Sequence, residues 1–234
     1  MWKGHTLVNH TYESLPKNVK ARLHCSSCHL DGGRNVNAAW FRGAIAYENK
    51  NFKDGGIAGR INQCFTNSMN GTALCEPDMP GKKAGANSCS KNPAMQAIIA
   101  YMKWIDAQPS SIPMPKSPYP PIPAKVGNAG NGQSVYLQKC AFCHGTDGQG
   151  RYQGGIYYRP ALWGAHSFNN NAGMSTSTDL AQFLYSNMPL GSGGELTAQE
   201  SWDLACFIDG KARPQGTSFS SVRTEASPGG CKAH

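Results

Sequence analysis

The chain has 234 residues and a formal charge of +8, from 22 Lys and Arg against 14 Asp and Glu. No stretch is apolar enough over the ~20 residues a membrane span needs, and no Lys/Arg run is dense enough for a nucleic-acid interface. Its 27 Gly, 15 Pro and 15% charged residues imply many loops, nine cysteines point to an oxidising compartment, and the positive balance favours anionic substrates or acidic partners.

Residues 1–12 read as irregular, and Met1 to Leu15 lacks the apolar core of a secretory signal, so an exported protein would carry this stretch in processed form. Ser14 to His24 (SLPKNVKARLH) reads as a helix, with Ser14 as cap and Pro16 tolerated in the first turn. It runs into Cys25-Ser26-Ser27-Cys28-His29, the CxxCH pattern of covalent haem c attachment. The spacing serves the chemistry. Two thiols add to the two vinyl groups of one porphyrin, and the adjacent histidine reaches the iron. A redox CxxC pair or half of a zinc site are the competing readings.

Val36 to Asn49 reads as a helix with Trp40, Phe41, Ala44 and Ile45 inward. Asp54 to Gly71 (DGGIAGRINQCFTNSMNG) reads as another, capped by Asp54 and stopped by Gly71. Helical spacing then puts Ile57, Arg60, Ile61, Cys64 and Ser68 on one stripe, a thiol one turn from a guanidinium and one turn from a hydroxyl. A buried core cysteine is the alternative for Cys64. Residues 72–91 read as irregular, with Cys75, Met79-Pro80 and Cys89. Asn92 caps a helix, PAMQAIIAYMKWIDAQ, whose Met95, Ile98, Ile99, Met102 and Ile105 recur at helical spacing.

Pro109 to Pro123 holds seven of the 15 prolines and reads as a polyproline-like linker. At about 3.1 Å per residue it could span roughly 45 Å. The plan then repeats. Gly132 to Lys139 reads as a helix running into a second CxxCH, Cys140-Ala141-Phe142-Cys143-His144; Thr178 to Asn187 reads as a short helix followed by Met188-Pro189; and Thr197 with Glu200 forms a capping box on a last helix closed by Gly210. The expected organisation is a first domain over 1–108, a linker over 109–125, a second domain over 126–215 and an extended tail over 216–234. Two CxxCH motifs, each following a helix, resemble class I cytochrome c. That likeness implies a mainly α chain of two such domains with two covalent haems.

His29 and His144 are the expected proximal iron ligands, each donating its other ring N–H to a carbonyl, with Pro160 the candidate acceptor in the second domain. Met188 is the candidate distal ligand there, with Met174 as rival; Met79 offers the same Met-Pro pair in the first domain. Haem attachment takes Cys25, Cys28, Cys140 and Cys143. Five cysteines remain, and an odd number leaves one thiol unpaired. Cys75 with Cys89 would tie one loop and Cys206 with Cys231 would pin the tail, which leaves Cys64 over; the sequence does not fix the pairing.

Residues Arg60-Ile61-Asn62-x-Cys64-Phe65-x-x-Ser68-Met69-Asn70-Gly71, with Pro160-x-Leu162-Trp163-Gly164 and Asn187-Met188-Pro189-Leu190-Gly191, resemble the dihaem thiosulfate dehydrogenases and, more distantly, the SoxA-type sulfur-oxidation cytochromes. The resemblance covers most of residues 15–215. It implies a periplasmic enzyme that joins two thiosulfates into tetrathionate, reversibly, and passes two electrons to an external acceptor such as a small cytochrome c. It also implies that Cys64 is an axial iron ligand and that Arg60 and Ser68 belong to the active site. Asn187 stands where some members carry a lysine, so Met188 is expected to ligate in both redox states. A pure electron carrier, or a SoxA-like subunit needing a partner, are the alternatives.

Overall fold

Two glycines decide how the helices of this chain cross. The computed structural model describes residues 2–78, 81, 85–113, 119–153, 156–216 and 230–231. The chain divides into two compact units, Met1–Lys116 and Ser117–His234. Each unit builds its core from a leading helix laid across a closing helix, and each leading helix carries a glycine at the crossing.

In the first unit α1 (Trp2–Asn9) buries Gly4, Leu7 and Val8 against α6 (Pro93–Asp106). A Cβ on Gly4 would overlap the Ala97 carbonyl oxygen and stand 2.7 Å from Tyr101 Cβ, so only glycine allows this approach. Helix α6 starts as its sequence dictates, with the Asn92 side chain accepting from Ala94 N and Met95 N. Its apolar stripe seals Met95, Ile98, Tyr101, Met102 and Ile105. The Tyr101 hydroxyl donates to Gly32 O at 2.9 Å, tying α6 to the loop that follows the first CxxCH motif. Between these helices lie α2 (Thr11–Ser14), α3 (Leu30–Gly33), α4 (Ala44–Asn51) and α5 (Gly56–Thr66), with α4 packed on α5.

Three sequence expectations change here. Residues 15–24 form no helix, and the leading helix lies earlier, in the stretch expected to be irregular. Val19, Ala21 and Leu23 are buried at alternate positions, the period of extended chain. Lys20 N and Ala21 N both donate to Met69 O, at 3.1 and 2.9 Å, so this stretch lies along the turn that ends α5. The helix expected over 36–49 begins only at Ala44, because Ala39 (φ 49°) and Gly43 (φ 74°) adopt left-handed backbone before it. Helix α5 is entered through Gly55 at φ 94°, with no side-chain cap from Asp54, and it stops at Thr66, short of Gly71. Met69 N bonds Cys64 O and Gly71 N bonds Phe65 O, both at 2.9 Å, which closes the carbonyl end in a tight turn.

In the second unit α7 (Ala129–Lys139) crosses α10 (Ala198–Asp209) at Gly132, whose Cβ would overlap Asp203 O. The Thr197–Glu200 capping box forms as expected, Thr197 N to Glu200 Oε2 at 2.8 Å and Glu200 N to Thr197 Oγ1 at 3.1 Å. Helix α8 (Ala141–His144) carries the second CxxCH motif, and α9 (Ser177–Asn187), capped by Thr176, packs on α10. Trp202 is fully buried and donates from Nε1 to Pro123 O at 3.0 Å. Strands are short: β1 (Val126–Gly127) pairs in parallel with β4 (Gly230–Cys231), and β2 (Arg151–Gln153) pairs antiparallel with β3 (Ile156–Arg159). Disulfides join Cys75 to Cys89 and Cys206 to Cys231, and Cys64 is left unpaired.

The fold is mainly helical, and no helix among the described residues is long and apolar enough to cross a membrane. The readings of Met79 as a ligand, of the linker over 114–118 and of the tail over 217–229 and 232–234 lie outside the described residues.

Candidate functional site

Helix α5 turns Ile57, Gly59, Asn62 and Phe65 into the protein interior. Arg60, Ile61 and Cys64 occupy the neighbouring face and are half-buried. Arg60 NH1 donates to Gln63 Oε1 at 2.7 Å and lies 3.5 Å from Cys64 Sγ, so the expected pairing of guanidinium and thiol across one turn is present. Arg60 Nε lies 3.6 Å from Glu48 Oε1, an ion pair that reaches across to α4. Ser68 falls in the turn beyond Thr66, half-buried, and not on the helical stripe where the sequence placed it.

The first CxxCH motif faces the same space. The Cys25 thiol is pushed up to about 11 by burial, with the Cys64 sulfur raising it further against a hydrogen bond from Thr11. Cys28 is pushed up to about 12 by burial, then by Cys64 and Cys25. Burial holds the His29 imidazole down at about 4, and the Arg60 charge adds to this, against the hydrogen bond to Ala39. Cys64 thus acts on both thiols of the motif, and Arg60 on its imidazole. His29 Nδ1–H donates to Ala39 O at 2.7 Å, and the ring packs on Phe41 with centroids 4.6 Å apart. The left-handed turn at Ala39 supplies that carbonyl. Thr11 Oγ1 accepts from Cys25 N at 2.9 Å, holding the start of the motif.

The second motif repeats the arrangement. His144 Nδ1–H donates to Pro160 O at 3.0 Å, and burial lowers its basicity. The Cys140 thiol is pushed up to about 11 by burial. Met188 is half-buried at the end of α9, whereas Met174 is sealed in the core at 7% exposure.

The residues of both motifs fit a covalently attached porphyrin. Four cysteines elsewhere pair in disulfides and those of each CxxC do not, which leaves two sulfurs per motif for thioether bonds to a porphyrin. Each histidine commits Nδ1 to a backbone carbonyl, which fixes the tautomer and presents Nε2 for an iron.

Known proteins agree with this reading. Residues 127–208 match the family described as cytochrome C oxidase, cbb3-type, subunit III. The thiosulfate dehydrogenase of Allochromatium vinosum is 32% identical over 223 residues, which cover 91% of this chain and 77% of that protein. The chain belongs to the thiosulfate dehydrogenase family. Its relative in Stutzerimonas stutzeri is 34% identical, over 91% of this chain and 67% of that one; the relative in Psychrobacter arcticus is 36% identical, over 91% and 63%. The solved thiosulfate dehydrogenase (TsdBA) of Marichromatium purpuratum, as isolated, superposes with a TM-score of 0.78 at 32% identity, over 96% of this chain and 50% of that one. The chain thus spans between 63% and 77% of the length of these curated relatives. As a c-type cytochrome of this family, it carries two covalent haem c groups.

Sequence reasoning missed four members of the site: Thr11, Ala39, Glu48 and Gln63. Gln63 follows Arg60 at helical spacing and was readable in principle. The other three act across long stretches of chain, and no local pattern marks them.

Proposed function

We propose that this chain oxidises two thiosulfates to one tetrathionate, releasing two electrons, in the periplasm, and that its first unit holds the catalytic centre. The convergence of Cys64 and Arg60 with Cys25, Cys28 and His29 carries the reading. An electron carrier has no use for a permanently charged fork beside an unpaired thiol.

In this reading His29 and Cys64 hold the first iron, and His144 and Met188 hold the second. A thiolate ligand lowers a haem potential and a thioether raises it, which suits a catalytic and a relay role in turn. The half-buried position of Met188, against the sealed Met174, supports Met188 as ligand. Bound haem c supplies one-electron acceptors, two in all for the two electrons released.

The protein's own groups do the rest. Arg60 presents a planar, permanently charged fork to the sulfonate oxygens of a small dianion. Ser68 adds a hydroxyl donor from the turn after α5. The Cys64 sulfur, charged as thiolate, bonds the terminal sulfur of the first thiosulfate, giving a cysteine S-thiosulfonate with a single negative charge; two electrons leave. A second thiosulfate attacks the outer divalent sulfur of that adduct. A new S–S bond forms tetrathionate, the bond to Cys64 breaks, and the thiolate returns. Charge balances at both steps. The final acceptor would be a small high-potential redox protein.

Thiosulfate with ferricyanide as acceptor tests the proposal, following acceptor reduction and tetrathionate together. Two ferricyanides reduced per tetrathionate formed is the expected result. No turnover, in a preparation with both haems attached, would overturn it.

A further inference from the structure

Arg60 is not held by its own helix alone. Gln63 takes one nitrogen at 2.7 Å, and Glu48 reaches from α4 to within 3.6 Å of Nε. The Glu48 side chain is 19% exposed and that of Arg60 40%, so the acidic partner is the more shielded of the two. A carboxylate is a surprising neighbour for a dianion site. Like charges brought close repel, and the repulsion grows as water is excluded. A site built only for tight capture would leave the guanidinium with the neutral Gln63.

Substrate and product bear on why the charge is there. Resting on the activity proposed above, the site receives two dianions and must release a third. Uniformly tight binding of all three would lower KM and slow the exit of product without raising the rate of the chemical step. A neutral partner alone would aim Arg60 but leave its full charge to the anion. A carboxylate at Nε aims it from the second side and subtracts from that charge.

We propose that Glu48 is a positioning residue which fixes the Arg60 fork from α4 and weakens its hold on dianions enough for tetrathionate to leave. The two roles separate by substitution. Glu48→Gln keeps an oxygen that can accept from Nε but removes the charge. Glu48→Ala removes both.

The test uses the holoprotein in two experiments: calorimetric titration of the fully reduced form, which cannot oxidise substrate, with thiosulfate, and steady-state kinetics with ferricyanide, including inhibition by added tetrathionate. Glu48→Gln should lower the thiosulfate Kd and KM about three- to tenfold, tighten tetrathionate inhibition by a similar factor and reduce kcat. Glu48→Ala should raise KM. Glu48→Gln with unchanged or raised Kd and KM would overturn the proposal. So would failure of both variants to fold with haem attached, because Glu48 would then be a structural residue. A wild-type protein that neither binds nor turns over thiosulfate would remove the proposed activity and this role together. Wild-type binding that Glu48→Gln leaves unchanged would remove the role of Glu48 alone.

Discussion

Replacing Arg60 by alanine tests the anion site most directly. A dianion about 4 Å from a single positive charge is attracted by about 8 kcal/mol at an effective dielectric near 20. That figure is an upper bound here, for two reasons visible in the structure. The Arg60 side chain is 40% exposed, so water screens it, and Glu48 at 3.6 Å cancels part of its charge. Keeping roughly a third leaves about 3 kcal/mol, or ~10²-fold in kcat/KM. Truncation also leaves the Glu48 carboxylate facing the substrate without its partner, which acts in the same direction. Arg60→Lys should lie between, near a tenfold loss, since an ammonium supplies charge without the planar fork. The assay is kcat/KM for thiosulfate with ferricyanide in excess, with haem content confirmed by absorbance. An Arg60→Ala enzyme within threefold of wild type would refute the placement of the anion at this guanidinium.

Three other outcomes are expected. Cys64→Ala should retain both haems, since none of the four thioethers involves it, and abolish tetrathionate formation; full activity in this variant would eliminate the sulfur as adduct site. Asn62→Ala should destabilise the first unit by about 2–4 kcal/mol, because the amide of this 6%-exposed side chain serves Cys75 O at 2.8 Å and Leu74 N at 2.9 Å, and both would be orphaned. Denaturant unfolding measures this, and a change below about 0.5 kcal/mol would contradict it. In the second unit burial pushes the Asp209 carboxyl up to about 7, against the pull of Arg213. The folded form therefore holds this proton more tightly than the unfolded chain does. Its contribution favours folding at low pH and is lost as pH rises from about 4 through 7. Asp209→Asn should flatten that part of the stability-versus-pH curve, and identical slopes for the two proteins would exclude the effect.

Much of the second unit could be read directly from local signals. Thr197 and Glu200 announce α10, and the apolar faces of α9 and α10 follow helical spacing. The same holds for α6 behind Asn92. The first unit misleads because its leading helix is separated from its CxxCH motif. In the second unit α7 runs to Lys139 and the motif starts at Cys140; in the first, α1 ends at Asn9 and the motif starts at Cys25. Reading one plan onto both placed a helix over residues that the extended Val19–Ala21–Leu23 pattern contradicts. The stripe of Arg60 and Cys64 was legible because four residues make one helical turn. Ser68 was misplaced because the turn closing α5 is made by backbone bonds from Met69 and Gly71, which no side-chain pattern advertises. Glu48 stayed hidden because an ion pair between helices depends on packing and not on spacing.

The two backbone bonds from Lys20 and Ala21 to Met69 O bear on whether the proposed catalytic centre could be moved. They lace the segment that leads into the first CxxCH motif to the end of the helix that carries Arg60 and Cys64. In the second unit the helix passes straight into its motif, with no extended segment between them. Writing an Arg-x-x-x-Cys pair into α9 would therefore supply the side chains without the segment that orients them in the first unit. Reactivity of this kind is not a detachable motif. Transplanting it would require the ledge formed by residues 18–21 to travel with the helix it supports.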